Sequence, residues 1–157
     1  SDILVEKLEA NGGVVYAKSN TPEFGAGANT FNEVFGATRN PWNLSRSAAG
    51  SAGGSAAALA SGMAWLAHGS DLGGSLRNPA SFCGIVGLRP TPGRVAHTPG
   101  LKVDNRLSVE GPMARNVSDC ALFLDAMVGE DARDAVSLPA PGKSFLAAAR
   151  SGWKPLK

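Results

Sequence analysis

The sequence contains few of the residues that build metal and redox sites. Its 157 residues include two cysteines and two histidines. Neither His68 nor His97 has a carboxylate or cysteine neighbour at metal-ligand spacing, so we expect no metal. Cys83 and Cys120 are too few for a disulfide framework and are predicted to be buried free thiols. No cofactor is expected from this composition.

Unbalanced charge and long apolar runs are also missing. The 15 Lys and Arg residues and 13 Asp and Glu residues give a net charge of +2. No basic run concentrates this charge, so direct binding to nucleic acid is not expected. No stretch approaches the length of a membrane span, and the first residues lack the basic start and apolar block of a signal peptide. We therefore expect a cytoplasmic protein that does not bind membranes.

Glycine, by contrast, is abundant, with 20 residues. Two glycine-rich loops each contain a serine, Gly50-Ser51-Ala52-Gly53-Gly54 and Gly73-Gly74-Ser75. Between them, residues 55–60 favour a helix and residues 64–67 a strand. Loops that flank one helix-strand unit can converge at one end of a sheet. Because glycine loops often serve close packing alone, a purely structural role stays open at this point.

Periodicity elsewhere predicts alternating helices and strands. Leu4, Val5 and Leu8 form an apolar stripe on a helix that residues 11–13 would end, and residues 14–17 then predict a short buried strand. Further predicted elements are a short helix from Asn78-Pro79, a strand over residues 85–88, and a helix with Asn116 and Asp119 as its capping box and Val117, Ala121, Leu124 and Val128 at helical spacing. This alternation predicts an α/β fold.

Several short motifs match known sites only in part. Gly142-Lys143-Ser144 ends like a phosphate-binding P-loop, but Ser137 stands where its first glycine belongs. Gly25-Ala26-Gly27 opens a dinucleotide fingerprint in which Thr30 occupies the third glycine position. Ser-x-x-Lys at residues 151–154 lacks the companion motifs of penicillin-binding enzymes. None of the three motifs predicts a site.

A closer partial match is the nucleophile elbow of α/β-hydrolases, with Ser51 as the nucleophile. Asp71 and His97 follow it in the chain order that α/β-hydrolases use. Such an elbow needs an apolar strand running into the serine, whereas residues 43–47 are polar. His97 lies in a Pro- and Gly-rich loop, where a solvated histidine is the ordinary expectation. The polar residues before Ser51 and the loop position of His97 therefore both count against a nucleophile elbow at Ser51.

Residues 50–58 together with residues 69–77 resemble the signature of the amidase signature family. The matching segments that flank it are residues 18–24, 35–42, 82–91 and 111–115. The resemblance thus covers most of the chain. It implies an α/β fold with a mixed sheet core flanked by helices, of which residues 1–157 would form a partial amidase signature domain.

The resemblance also implies a Ser-cisSer-Lys hydrolase. In such an enzyme Ser75 attacks the amide carbonyl and Ser51, 24 positions earlier as in the family, relays the proton to a lysine. The family's cis peptide would lie between Gly50 and Ser51. The backbone N–H groups of residues 72–75, namely Leu72, Gly73, Gly74 and Ser75, could turn toward an oxyanion. Asp71 and Arg77 are expected to brace this loop.

The chain departs from the usual family pattern at three positions. Ala48, Ala49 and Ala52 stand where proline, glycine and a second serine are usual. Ala52 removes a hydroxyl beside the relay but leaves Ser51 and Ser75 in place. The resemblance puts the catalytic lysine further upstream than this chain reaches, so we expect residues 1–157 alone to be inactive.

Three functions follow as hypotheses from the resemblance. The first is hydrolysis of a small-molecule amide by the full-length protein. The second is the amidase subunit of a glutamine-dependent tRNA amidotransferase, which would use the same triad. The third is a catalytically silent member of the family. Homo-oligomerisation stays open under all three.

Overall fold

The computed structural model describes residues 2–98 and 107–152. Its helices are α1 Ile3–Ala10, α2 Gly53–Ala60, α3 Arg77–Cys83, α4 Val117–Met127 and α5 Phe145–Arg150, with a 3₁₀ turn at Glu23–Gly25. Its strands are β1 Phe31–Asn32, β2 Gly36–Ala37, β3 Arg39–Asn40, β4 Asn43–Ser47, β5 Leu66–Asp71, β6 Val86–Gly87 and β7 Val109–Ala114. The predicted α/β class is confirmed. Among the described residues, no helix is both long enough and apolar enough to cross a bilayer.

The sheet that positions the site has the order β5-β7-β6, and β7 pairs antiparallel with both neighbours. Its longer ladder runs from Leu66↔Ala114 to Asp71↔Val109. An isolated parallel bridge, Val95↔Gly129, lies outside the named strands. Because β5 ends at Asp71, the loop that contains Ser75 begins directly at the end of this ladder.

The central strand β7 contains a proline, Pro112, opposite His68. Since proline has no N–H, this must be one of the pairs that do not exchange hydrogen bonds across the ladder. The carbonyl oxygen of Pro112 turns to the other side and accepts the Leu88 N–H at 3.1 Å. A proline inside a central strand is unusual, and sequence patterning predicted no strand here.

The first helix agrees with its prediction, but the strand predicted after it is wrong. The Asp2 side chain caps α1 by accepting the Leu4 N–H at 2.9 Å, and Asn11 ends the helix. Residues 14–17 form no strand, and the Val14 side chain is 84% exposed. Apolar β-formers become a strand only where a neighbour supplies the ladder, and no described strand lies beside them.

The helix predicted from the capping box is α4. The Asn116 side chain accepts the Asp119 N–H at 2.8 Å, as predicted. The buried face differs from the prediction, because the buried residues are Cys120, Phe123, Leu124 and Met127. Val117, in the first turn of the helix, is 61% exposed.

Two predicted strands have different bounds in the structure. The strand predicted at residues 64–67 is β5, which starts at Leu66 and continues to Asp71 because β7 pairs with each of these residues. The strand predicted at 85–88 shrinks to Val86–Gly87, since only these residues pair with β7. The sheet and helices α2 and α3 enclose one core cluster: Ala48, Ala52, Ala56, Leu59, Ala64, Leu76, Ala80, Cys83 and Met113.

Candidate active site

The first serine loop, residues 48–52, connects β4 to α2. The peptide bond between Gly50 and Ser51 is cis, at the position that the family resemblance implied. Ser51 is 4% exposed, and Ala48, Ala49 and Ala52 are buried with it. The loop is therefore an interior segment, and the Ser51 hydroxyl lies in a site that bulk water reaches little.

Thr30 holds the first serine loop through a single hydroxyl. Its Oγ1 lies 2.9 Å from the Ala49 carbonyl oxygen and 3.2 Å from that of Ser51, and it accepts the Gly53 N–H at 3.1 Å. The Thr30 N–H also donates to Ala49 O at 3.1 Å. These four bonds satisfy buried main-chain groups that would otherwise have no partner. Sequence reasoning missed Thr30, since its partners lie about twenty positions away.

Gly50 allows the chain of residues 27–29 to lie against this loop. A Cβ atom built at Gly50 would stand 2.7 Å from the Gly27 carbonyl oxygen and 2.9 Å from the backbone nitrogen of Asn29. Both obstacles are main-chain atoms, which cannot swing aside as a side chain can. The glycine is thus required by close backbone approach.

The second serine loop, residues 71–77, is organised around the carboxylate of Asp71. This side chain is 0% exposed. Its Oδ1 accepts the Gly74 N–H at 2.8 Å, and its Oδ2 accepts the N–H groups of Leu76 and Arg77, each at 3.3 Å. The carboxylate therefore collects the main-chain donors of the turn that leads from β5 into α3.

Two guanidinium groups pair with the same carboxylate. Arg77 donates to it twice, from Nε at 2.9 Å and from Nη2 at 3.0 Å, and Arg89 donates from Nη1 at 2.9 Å. Burial by itself would raise the pKa of Asp71, but the hydrogen bonds from Arg77 and from the Gly74 and Arg77 N–H groups outweigh it and hold that pKa well below its usual range. Asp71 is thus a carboxylate near neutral pH and is occupied by structural partners.

The peptide groups of this loop fall into two sets. The Gly74 N–H is taken by Asp71, which leaves it unable to serve as one of the predicted oxyanion donors in this arrangement. The N–H groups of Leu72, Gly73 and Ser75 make no hydrogen bond with any described residue. Three of the four predicted donors therefore remain available to a ligand.

A main-chain hydrogen bond joins the two serine loops. The Ala52 N–H donates to the carbonyl oxygen of Ser75 at 3.1 Å. This bond holds the residue after Ser51 against Ser75, which is itself partly exposed. No hydrogen bond connects the two serine hydroxyls among residues 2–98 and 107–152, so the proton relay between them stays a prediction.

The alternative triad of Ser51, Asp71 and His97 does not assemble. Both carboxylate oxygens of Asp71 are occupied by arginine and main-chain donors. The residue that binds near His97 is Asp134, whose Oδ2 accepts the His97 main-chain N–H at 3.1 Å. Because a catalytic imidazole needs its orienting carboxylate within hydrogen-bond reach, the elbow interpretation is excluded for this arrangement.

Other titratable side chains near the sheet include Glu110, Cys83 and Cys120. Glu110 Oε2 lies 3.5 Å from His68 Nε2 and makes no hydrogen bond with a described residue. Burial raises the pKa of Glu110, while the nearby His68 lowers it in part. Cys83 and Cys120 are buried free thiols, as predicted, and burial raises the pKa of Cys120 to about 11. Neither thiol is positioned as a nucleophile at neutral pH.

An apolar cavity of about 190 Å³ lies between β6, α4 and α5. The residues that line it are Val86, Leu88, Val117, Cys120, Ala121, Leu124, Phe145 and Ala149. None of them belongs to either serine loop, and none supplies a charged group. This cavity therefore lies apart from the two predicted catalytic serines.

Comparison with known proteins shows which family the chain resembles. A family model described as Amidase matches residues 1–157. A glutamyl-tRNA(Gln) amidotransferase subunit from Marinomonas sp. (strain MWYL1) is 44% identical over 154 residues, which make up 98% of this chain and 32% of that protein.

Two solved structures share the fold closely. The structure of 6-aminohexanoate cyclic dimer hydrolase complexed with substrate is 41% identical with a TM-score of 0.86, covering 95% of this chain and 32% of that one. A bacterial aryl acylamidase of the amidase signature enzymes family gives a TM-score of 0.86 at 35% identity, over 94% and 30%. The chain spans about a third of the length of these relatives. It belongs to the amidase signature family.

Proposed function

We propose that the full-length protein hydrolyses amide bonds with Ser75 as the nucleophile and Ser51 as the proton relay. The observation that carries this proposal is the contact between the two loops, in which Ala52 N–H binds the carbonyl oxygen of Ser75 at 3.1 Å. Two serines from separate loops are thereby held at one place, beside main-chain N–H groups that have no partner in the part of the chain that the structure describes. Solved relatives include an aryl acylamidase and a cyclic dimer hydrolase, which act on amides.

The chemistry needs a base, because a serine hydroxyl is a weak nucleophile at its own pKa. The family resemblance supplies it as a lysine outside residues 1–157. Ser75 Oγ attacks the amide carbonyl carbon while its proton passes through Ser51 Oγ to the neutral lysine. The tetrahedral intermediate then loses the amine, which takes a proton back along the same route. Water hydrolyses the acyl-serine ester and regenerates the Ser75 hydroxyl.

The oxyanion of the tetrahedral intermediate would be held by the N–H groups of Leu72, Gly73 and Ser75. Gly74 has a different task in this proposal, because its N–H binds Asp71 and fixes the shape of the turn. Its φ of +115° is a conformation that side-chain-bearing residues rarely adopt, so this position favours glycine. Each well-placed oxyanion donor lowers the barrier by about 3–4 kcal/mol.

The test is hydrolysis of a panel of aryl and aliphatic amides by the full-length protein. Ser75→Ala should abolish activity and labelling by a fluorophosphonate probe, and Ser51→Ala should reduce both. Ser81→Ala, at an exposed position of α3, is the matched control and should leave both unchanged. Activity that survives Ser75→Ala would refute the nucleophile. Absence of labelling in the folded wild type would favour a silent family member.

A second candidate is the amidase subunit of a glutamine-dependent tRNA amidotransferase. The name of the Marinomonas relative favours it, at 44% identity over nearly the whole of this chain. The two serines and the oxyanion donors would act in the same way, with glutamine as the amide. Glutaminase activity that appears only with co-purified partner proteins would support this candidate. Hydrolysis of other amides by the isolated protein would count against it.

A further inference from the structure

Arg89 contacts the second serine loop in a way that Arg77 does not. Arg77 donates to the Asp71 carboxylate and is 52% exposed, whereas Arg89 is 22% exposed. Arg89 Nη1 donates both to Asp71 Oδ1, at 2.9 Å, and to the main-chain carbonyl oxygen of Asp71. Its Nη2 donates to the Leu107 carbonyl oxygen at 2.6 Å. One guanidinium group thus spans two chain segments and reaches the main chain of the loop.

The carbonyl oxygen that Arg89 holds belongs to the same peptide group as the Leu72 N–H. That peptide is trans, since the cis bond among the described residues is Gly50–Ser51. A trans peptide is planar, so its C=O and N–H point in opposite directions. Fixing the Asp71 oxygen therefore fixes the direction of the Leu72 N–H. The β5–β7 ladder ends at the Asp71↔Val109 pair, and Arg89 adds its donor at this last position.

The direction of the Ser75 N–H is fixed in the same way, by a hydrogen bond at the other end of its peptide group. Its peptide group includes the Gly74 carbonyl oxygen, which accepts the Asn78 N–H at 2.8 Å at the start of α3. A helix main chain therefore orients one of these N–H groups, and the last pair of the β5–β7 ladder together with the Arg89 side chain orients another. Of the two, the side-chain contact is the one that a substitution can remove.

We propose that Arg89 is a positioning residue for amide hydrolysis, which aims the Leu72 N–H at the oxyanion by holding the other end of its peptide group. This inference rests on the proposed function and deepens it. Arg89 touches neither substrate nor Ser75 in this scheme. Its effect should therefore appear in the step that forms the tetrahedral oxyanion and be nearly absent from substrate binding.

The experiment compares Arg89→Gln, Arg89→Lys and Arg77→Gln in the full-length protein, well below each variant's melting temperature. Loss of one oxyanion donor costs up to about 10²–10³ in kcat, so a misdirected donor in Arg89→Gln should lower kcat by about tenfold or more. KM should stay within about twofold, because a group that acts only in the transition state changes kcat alone. The rate of Ser75 labelling by a fluorophosphonate should fall with kcat, since its P=O oxygen occupies the same site.

Arg89→Lys keeps a charged donor and should recover most of the lost kcat. Arg77→Gln should lower the melting temperature without a comparable split between kcat and KM.

Unchanged kcat in Arg89→Gln, or equal losses in kcat and in substrate affinity, would overturn the positioning role. If Arg89→Gln does not fold, Arg89→Lys decides: a measurable fall in kcat at unchanged KM supports the role, and a kcat equal to that of the wild type, or a loss shared with KM, opposes it. A wild type that neither hydrolyses the panel nor labels at Ser75 would remove the proposed function itself, and the Arg89 role with it.

Discussion

The two serine loops are held in place by different physical interactions. The first is fixed by neutral contacts, since the Thr30 hydroxyl binds two of its carbonyl oxygens and the adjoining Gly53 N–H, and Gly50 lets another backbone approach closely. The second is fixed by charge, since the Asp71 carboxylate gathers two guanidinium groups and the turn's N–H groups. One site therefore has a part that should be insensitive to pH and a part that should respond to it.

The largest effect is expected from removing the charge at the second loop. Asp71→Asn leaves two guanidinium groups and several N–H donors around a neutral amide, and breaking such a buried pair costs about 3–5 kcal/mol of the free energy of unfolding. Denaturant unfolding of the full-length protein measures this loss. The matched control is Asp131→Asn, because Asp131 makes a similar two-point pair with Arg133 near the surface. A much smaller loss is expected there, because ion pairs near the surface contribute little to stability, and equal losses in the two variants would contradict the comparison.

A smaller effect is expected from the first loop. Thr30→Val keeps the side-chain shape but leaves the Ser51 carbonyl and the Gly53 N–H without their buried partner, whereas the Ala49 carbonyl still accepts the Thr30 N–H. We expect a loss of about 2–3 kcal/mol in the free energy of unfolding. Thr30→Ser retains the hydroxyl and should lose less. If both variants unfold at the same denaturant concentration, the hydroxyl does not hold the loop.

The pH dependence should separate the two loops. The pKa of Asp71 is lowered in the folded state, so its contribution is complete above the unfolded value of about 3.9 and disappears as pH falls below it toward the folded pKa. Between about pH 5 and pH 2, wild type and Thr30→Val should lose stability in parallel. Asp71→Asn should show a shallower loss. Parallel curves for all three proteins would mean that Asp71 does not supply the acid sensitivity.

The smallest effect is expected at Glu110, opposite Ser70 in the ladder beside the second loop. Burial raises the pKa of this carboxyl, so its ionisation as pH rises through the folded value costs the folded state stability. Glu110→Gln should therefore raise the free energy of unfolding at pH 7 by less than about 1 kcal/mol. The gain should vanish below about pH 4, where glutamate is protonated in both states. A loss of stability at pH 7 would show that the His68 pair outweighs burial.

Features encoded by neighbouring residues were predictable from the sequence. The Asn116 cap and the helix it starts depend on residues three apart. The cis bond before Ser51 follows from a family motif of adjacent residues and is confirmed. The pairing of Asp71 with Arg77 links positions only six apart in the same motif. In each case the partners are close in the chain, so the local sequence is enough to predict the contact.

Features that depend on distant partners were not predictable. Strand β7 contains Pro112, which argues against a central strand until the register shows that its missing N–H is not needed for the pair with His68. Thr30 and Arg89 carry no local signal, because their contacts are fixed only when remote segments meet. The hydrogen bond of the Gly74 N–H to Asp71 also depends on the folded position of that carboxylate, so the sequence alone did not show that this predicted donor has another partner.

The bond between Ala52 and Ser75 uses no side-chain atom from either residue. A change of residue type at position 52 can therefore alter the polarity beside Ser51 without separating the serines, provided the new side chain fits the core cluster that Ala52 joins. This accounts for how the chain tolerates alanine where the family usually has a second serine. If Ser51 relays the proton as proposed, position 52 is thus a place where evolution or design can tune that relay while the spacing of the two serine loops stays unchanged.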